Sequence, residues 1–165
     1  LNAGGSPTYT LHAKGTVANE VAVGTAFVQP CDFDLATLSQ HKAACFIATP
    51  VLKALNPALI PAIEWADGLR RWWDVNNEQG YFIHGGNWLA KPESPQGLAL
   101  SGLYGRSSNQ ELWLGSASQG LQVNDYVFFR PQQSEAVFLQ FGDIAVFDGQ
   151  QKQINQYWPV FSMSA

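Results

Sequence analysis

The chain has 165 residues, of which 46% are hydrophobic and 13% are charged, and its formal net charge is −4. This length suits one domain, or a small domain with an appendage, and the hydrophobic share supports a well-formed core. The negative charge argues against a nucleic-acid-binding protein, which needs clustered Lys and Arg, and no apolar run approaches the roughly 20 residues of a membrane-spanning helix.

The first residues have the character of an internal segment. Leu1-Asn2-Ala3 provides no initiator Met, no basic region and no apolar stretch of a signal peptide. We therefore expect the chain to be the interior of a longer protein. Cys31 and Cys45 lack the spacing of a zinc or redox motif, so we expect two reduced thiols in a cytoplasmic protein.

The first part of the chain predicts alternating strands and helices. Leu35, Leu38 and His41 recur at helical spacing after Asp34, which is a residue type that caps helices. The predicted elements, in chain order, are a polar turn at 4–8, a strand over 19–30, a helix from Asp34, a strand over 45–52 and a helix over 57–73.

The remainder predicts an all-β region. Short apolar runs are separated by Gly, Pro, Asn or Asp at a spacing that is typical of an antiparallel sandwich or barrel. These runs read YFIH, LALSGLYG, ELWLG, YVFFR, AVFLQFG and IAVFDG.

Three polar stretches are candidates for chemistry. Consecutive small residues at 4–8, GGSPT, suit an anion-binding turn or an ordinary surface turn. His84 precedes a Gly-Gly pair and suits either a base or ligand, or a hydrogen-bonded histidine before a tight turn. In RPQQSEAV, Gln133 and Glu135 alternate, which on a strand edge would point both side chains the same way. Their oxygens suit a hard cation or a polar substrate, but the spacing alone does not predict a metal site.

In this order, the stretches resemble the family of D-threonine aldolase and D-serine dehydratase. These relatives of alanine racemase carry a pyridoxal-phosphate barrel beside a separate β-domain. AGGSPT resembles the family's glycine-rich phosphate turn, and NEVAVGTAFVQPCD resembles its next strand, with Ala26 in place of an aromatic residue. LQVNDYVFFRPQQSEAV resembles a later segment that ends in metal ligands, and His84 stands where Asp is usual. The matching positions are Glu20, Gly24, Thr25, Asp32, Leu121, Val123, Asp125, Val127 and Pro131.

The resemblance implies a mixed α and β fold that is mainly β, with an antiparallel β-barrel or sandwich preceded by the last strands of a (β/α) barrel. The barrel segment would span 1–43, and the β-domain would span 44–165 with a helical insertion near 57–73. The implied cofactor is pyridoxal 5′-phosphate, and the implied substrate is a D- or β-hydroxy amino acid. A homodimer is the implied assembly. The residues implied to hold the cofactor phosphate are Gly4, Gly5, Ser6, Gly24 and Thr25.

The family's metal-ligand positions carry Gln133 and Glu135, which we expect to face the substrate as the catalytic side chains. Gln is a poor ligand for a divalent metal, and the family's E-H-G loop appears as Asn109-Gln110-Glu111 without a histidine. Whether a divalent ion is retained stays open at this point. The family's cofactor-binding lysine lies upstream of the matched segments, so this chain alone is expected to be inactive. The five lysines that lack a comparable context are Lys14, Lys42, Lys53, Lys91 and Lys152.

The alternative interpretation is a non-catalytic β-domain that binds a polar ligand such as a carbohydrate. Six Trp residues would then provide an exposed stacking platform. Burial of Trp72, Trp73, Trp88, Trp113 and Trp158 would count against it.

Overall fold

A computed structural model describes residues 1–55, 78–102 and 104–160. The chain forms two compact units, one of Leu1–Cys45 with Pro131–Ala165 and one of Phe46–Arg130. The helix predicted over 57–73 lies outside the described residues, and the domain division at position 43 stays a prediction.

The described strands confirm a mainly β fold. They are β1 Asn2–Ala3, β2 Glu20–Val21, β3 Ile47–Leu55, β4 Gln79–His84, β5 Ala90–Ser94, β6 Ala99–Leu100, β7 Gln110–Gly115, β8 Tyr126–Pro131, β9 Ile144–Asp148 and β10 Gln153–Trp158. The described α-helix is α1 Ser134–Phe138, and short 3-10 helices span Tyr9–Lys14, Thr25–Phe27, Cys31–Phe33, Ala36–Leu38 and Ala117–Gln119. No helix in the described ranges is long and apolar enough to cross a membrane.

In the unit Phe46–Arg130, β3 to β8 form a barrel-like antiparallel sheet of six strands in the order β5-β8-β3-β4-β7-β6. Alternate residues of β3 and β8 point into the core, as expected for strands with one buried face. Trp113 packs edge-on against Phe129, with their ring centroids 5.0 Å apart. The other fully buried core side chains of this sheet include Val51, Tyr81, Ile83, Leu112 and Val127.

Pro50 lies in β3, a central strand, although proline has no N–H to donate. The N–H and C=O of Val51 point toward the β8 side, where they pair with Asp125 and Asn124. Backbone groups alternate along a strand, so Pro50 turns its missing donor toward β4. There the hydroxyl of Thr49 donates to the carbonyl of His84. A side-chain donor thus satisfies a β4 carbonyl at the position where the proline interrupts the backbone ladder.

A buried carboxylate fixes the turn after β4. Glu111 is 2% exposed, and its Oε1 accepts a hydrogen bond from the Asn87 N–H at 2.7 Å. Its Oε2 accepts one from the indole N–H of Trp113 at 3.3 Å. Both carboxylate oxygens are therefore satisfied by donors of the same unit, as burial of a charge requires.

The unit Leu1–Cys45 with Pro131–Ala165 holds β1 and β2, which pair in parallel through Asn2 with Glu20 and Ala3 with Val21. The strand predicted over 19–30 is wrong beyond Val21, because the chain turns at Gly24 into the 3-10 helix Thr25–Phe27. β9 and β10 form an antiparallel hairpin in the same unit.

The α-helix predicted from Asp34 is also wrong, because the segment forms the short 3-10 helix Ala36–Leu38. The N–H of Leu38 bonds to the carbonyl of Leu35, and the N–H of His41 bonds to that of Leu38. These bonds span three residues, and a spacing of three matches the 3-10 period of 3.0 better than the α-helical 3.6.

Candidate functional site

Two loops of the first unit meet beyond the ends of its parallel strands. β1 leads into the loop 4–8, and β2 leads into the turn 22–26. The Oγ of Ser6 accepts hydrogen bonds from the N–H of Gly24 at 3.2 Å and from the N–H of Ala26 at 3.1 Å. One serine hydroxyl therefore joins the two glycine-containing stretches, which follow the carboxyl ends of the parallel strands β1 and β2.

The backbone of the first loop requires glycine. Gly4 has a φ of +83°, and a Cβ there would lie 2.8 Å from Cγ1 of Val21. Gly5 has a φ of +149°, which L side chains rarely adopt. Within the described residues, the N–H groups of Gly5, Ser6 and Thr25 have no hydrogen-bond acceptor. Several unpaired backbone donors in one loop cluster suit the binding of an anion.

The segment RPQQSEAV reaches the same turn through a helix. Glu135 lies in the first turn of α1, and its Oε1 accepts a hydrogen bond from the Thr25 hydroxyl at 2.8 Å. Gln133 precedes α1 in extended conformation, and its Nε2 lies 3.5 Å from Oδ2 of Asp32. The prediction that both lie on a strand edge is wrong. They nevertheless contact one segment, 25–32, in which the resemblance implies that Thr25 holds the cofactor phosphate.

The charge of Glu135 is stabilised by hydrogen bonds. A hydrogen bond from its own backbone N–H is the largest cause, and the Thr25 hydroxyl adds to it, so the pKa of this carboxyl lies below its ordinary value of 4.5. The side chain is exposed and therefore presents an ionised carboxylate to solvent at neutral pH. The Thr25 hydroxyl already donates to this carboxylate, so Thr25 would donate to a bound anion through its backbone N–H.

We expect Thr25→Val to raise the pKa of Glu135, since the substitution removes one donor to its ionised form. A depressed carboxyl pKa stabilises the folded state fully above the unfolded-state value, and this contribution is lost as the pH falls through the folded-state value. Titration of the Glu135 carboxyl carbon by NMR measures the shift. Thr25→Ser keeps the hydroxyl and is the matched control, so an equal pKa in both variants would contradict the contact.

His41, which the sequence did not assign to a site, also contacts this turn and is itself bonded to Tyr9. Nδ1 of His41 lies 2.9 Å from the carbonyl oxygen of Ala26, and its Nε2 lies 2.7 Å from the Tyr9 hydroxyl. Their separation of 32 positions conceals the pair in the sequence. The threefold spacing of Leu35, Leu38 and His41 was the available signal, and it was interpreted as a helix face.

The other candidate residues lie in the second unit. His84 ends β4 with an exposed side chain, and Glu111 belongs to β7 as a buried structural carboxylate.

Over the described ranges, no group of three or more His, Cys, Asp or Glu side chains is placed to hold a metal ion. Cys31 and Cys45 form no disulfide.

The described tryptophans do not form the exposed platform that carbohydrate binding would require. Trp113 is 4% exposed, and half-buried Trp88 packs edge-on against Phe129 at 5.6 Å. Trp158 is exposed, but it belongs to the first unit, whereas Trp72 and Trp73 lie outside the described residues. The carbohydrate-binding alternative therefore gains no support.

Comparison with known proteins gives a structural relationship. No family model matches the sequence, and no curated protein matches it significantly. The fold superposes on the crystal structure of D-threonine aldolase from Filomicrobium marinum with a TM-score of 0.67, over 96% of this chain and 40% of the aldolase chain, at 12% identity. Identity this low shows the fold alone. The chain is thus similar in fold to part of a D-threonine aldolase and spans less than half of that protein's length.

Proposed function

We propose that this chain forms part of a pyridoxal-phosphate-dependent enzyme that acts on D- or β-hydroxy amino acids. Its reaction would be of the aldolase or dehydratase-deaminase type, with racemisation as a second class. The observation that carries the proposal is the junction of the loop 4–8 with the turn 22–26 through Ser6, at the ends of two parallel strands. The sequence resemblance assigns both stretches to the cofactor phosphate, and the fold similarity to a D-threonine aldolase supports that assignment.

The local geometry fits a phosphate group. The N–H groups of Gly5, Ser6 and Thr25 would donate to its oxygens, and Gly4 provides the left-handed turn that directs the loop. Gly24 has no atom within 4 Å of a hypothetical Cβ, which leaves room beside the turn. When bound, pyridoxal phosphate supplies an electron sink for negative charge that develops at the substrate Cα.

Gln133 and Glu135 would face the substrate. The ionised Glu135 carboxylate suits the cationic ammonium of an amino acid. The amide of Gln133 offers both a donor and an acceptor for a carboxylate or hydroxyl group. An amide and one carboxylate do not fit the ligand set of Zn²⁺.

Assembly and location follow from the resemblance. We propose that the protein is a cytoplasmic homodimer that binds a small amino acid and binds neither nucleic acid nor a membrane. The catalytic lysine would be supplied by polypeptide beyond the matched segments, so the isolated 165-residue chain would bind the cofactor without turnover.

Ligand binding to the 165-residue chain tests the proposal. We expect pyridoxal 5′-phosphate to bind at least about tenfold more tightly than pyridoxal, which lacks the phosphate, because each charge-assisted hydrogen bond contributes about 1.5–3 kcal/mol. Inorganic phosphate should compete. Fluorescence titration or equilibrium dialysis measures both ligands. Equal affinity for the two, or no competition by phosphate, would contradict the proposed site.

A further inference from the structure

Tyr9 and His41 form a hydrogen-bonded pair beside the candidate phosphate site. The Tyr9 hydroxyl lies 2.7 Å from Nε2 of His41, and the two rings meet edge-on with centroids 5.7 Å apart at 83°. Nδ1 of the same imidazole lies 2.9 Å from the carbonyl oxygen of Ala26. Tyr9 opens a 3-10 helix directly after the loop 4–8, and its own N–H bonds to the Gly5 carbonyl at 2.9 Å.

The direction of each hydrogen bond follows from the partners. A backbone carbonyl oxygen accepts and never donates, so Nδ1 of His41 carries the hydrogen. In the neutral ring Nε2 is then an acceptor, and the Tyr9 hydroxyl donates to it. The neutral imidazole is therefore held as the Nδ1–H tautomer by partners on both sides.

These hydrogen bonds connect the turn to the loop 4–8 by two separate routes. Ala26 is 0% exposed, its N–H donates to Ser6, and its carbonyl accepts from His41. Ser6 lies in the loop 4–8 and Tyr9 follows that loop directly, whereas Ala26 belongs to the turn 22–26. Both backbone polar groups of Ala26 are thus tied, by separate side chains, to the loop that carries Gly5 and Ser6.

We propose that Tyr9 and His41 are positioning residues that fix the turn Gly24–Ala26 against the loop 4–8 and so set its affinity for a phosphate group. The inference rests on the proposed function for the identity of the anion. Neither side chain donates to the anion itself, because both nitrogens of His41 and the Tyr9 hydroxyl proton are already engaged. Instead, Tyr9 and His41 determine the distance between the N–H groups of Ser6 and Thr25.

A further contact supports this role. The hydroxyl of Thr37, four residues before His41, donates to the carbonyl of Pro7 in the loop 4–8, and the Thr10 hydroxyl donates to the Thr37 carbonyl at 2.9 Å. The segment 37–41 therefore contacts the loop 4–8 at Pro7, and it contacts the 3-10 helix after that loop at Tyr9 and Thr10. His41 is the residue by which this segment reaches the second loop.

Tyr9→Phe is the matched test, since it removes one hydroxyl and keeps the ring. We expect the affinity for pyridoxal 5′-phosphate to fall about fivefold, the effect of one lost hydrogen bond, while the affinity for pyridoxal is unchanged. Tyr157→Phe is the control, because Tyr157 is 64% exposed and its hydroxyl has no partner among the described residues. Nitrogen-15 NMR of the imidazole should show the Nδ1–H tautomer in the unmodified chain, and a mixture of tautomers in Tyr9→Phe.

The binding results distinguish failure of the positioning role from failure of the proposed function. If the unmodified chain prefers pyridoxal 5′-phosphate and Tyr9→Phe binds it equally well, the positioning role is overturned and the proposed function stands. If the unmodified chain shows no preference for the phosphate, the proposed function fails and the assignment of the pair to anion affinity fails with it. If neutral His41 is the Nε2–H tautomer, the proposed hydrogen bonds of His41 to Ala26 and Tyr9 are contradicted, whatever the ligand result.

Discussion

Gly86→Ala is expected to destabilise the unit Phe46–Arg130 by about 3 kcal/mol or more, from a strained backbone and an overpacked contact together. Gly86 has a φ of +143°, which L side chains rarely adopt. A Cβ there would lie 2.5 Å from the carbonyl oxygen of Ser107 and would also overlap the side chain of Glu111. Glu111 cannot move aside freely, because it is 2% exposed and bonded to Asn87 and Trp113.

Gly105→Ala is the matched control for this prediction. Gly105 also has a positive φ, +64°, but no atom lies within 4 Å of its hypothetical Cβ. Alanine there should cost only the left-handed strain, about 1 kcal/mol. Urea denaturation followed by tryptophan fluorescence compares the two variants, and Trp113 reports on the region around Glu111. Equal losses in the two variants would show that the packing of Glu111 does not restrict Gly86.

The β region was predictable because its strands are short apolar runs that are bounded by turn residues. YFIH, ELWLG, YVFFR and IAVFDG correspond to β4, β7, β8 and β9. Each run is four to six residues long, which is too short for a typical helix and suits a strand. Their pairing order was not predictable, since β8 inserts between β3 and β5 through contacts between distant parts of the chain.

Short irregular elements were not predictable. AVFLQFG was interpreted as a strand, but Ser134–Phe138 forms α1, whose buried side chains are Ser134 and Val137 at a spacing of three. A run of this length has too few residues to separate the periods of 2 and 3.6. Pro131 ends β8, and the chain then leaves the sheet, which the apolar pattern alone did not reveal.

The candidate site was predictable in composition and not in arrangement. Glycines at 4, 5 and 24 suggest turns with accessible backbone donors, and the structure places the two stretches within hydrogen-bond distance through Ser6. The contact of Thr25 with Glu135 joins residues 110 positions apart. Nothing in local sequence spacing could indicate it, because such a contact depends on how separate elements pack.

Ser6→Ala is expected to have the largest effect on ligand binding, with a loss of about tenfold or more in affinity for pyridoxal 5′-phosphate. The substitution removes two hydrogen bonds, each contributing about 0.5–1.5 kcal/mol, that hold the turn at Gly24 and Ala26 against the loop 4–8. The backbone N–H of Ser6 remains, so the loss would arise from the separation of the two loops rather than from a missing donor. Fluorescence titration with pyridoxal 5′-phosphate and with pyridoxal measures the effect.

Ser6→Thr is the control, since it retains a hydroxyl at the same position and should recover most of the affinity. Amide hydrogen exchange separates this explanation from a general loss of stability. In Ser6→Ala we expect faster exchange at Ala26, which is buried and loses its acceptor, while Val127 in the other unit keeps its protection. Faster exchange throughout the chain would instead indicate global destabilisation. Unchanged exchange at Ala26, together with unchanged affinity, would show that the two loops keep their positions without the serine, and the phosphate site would then have to rest on other contacts.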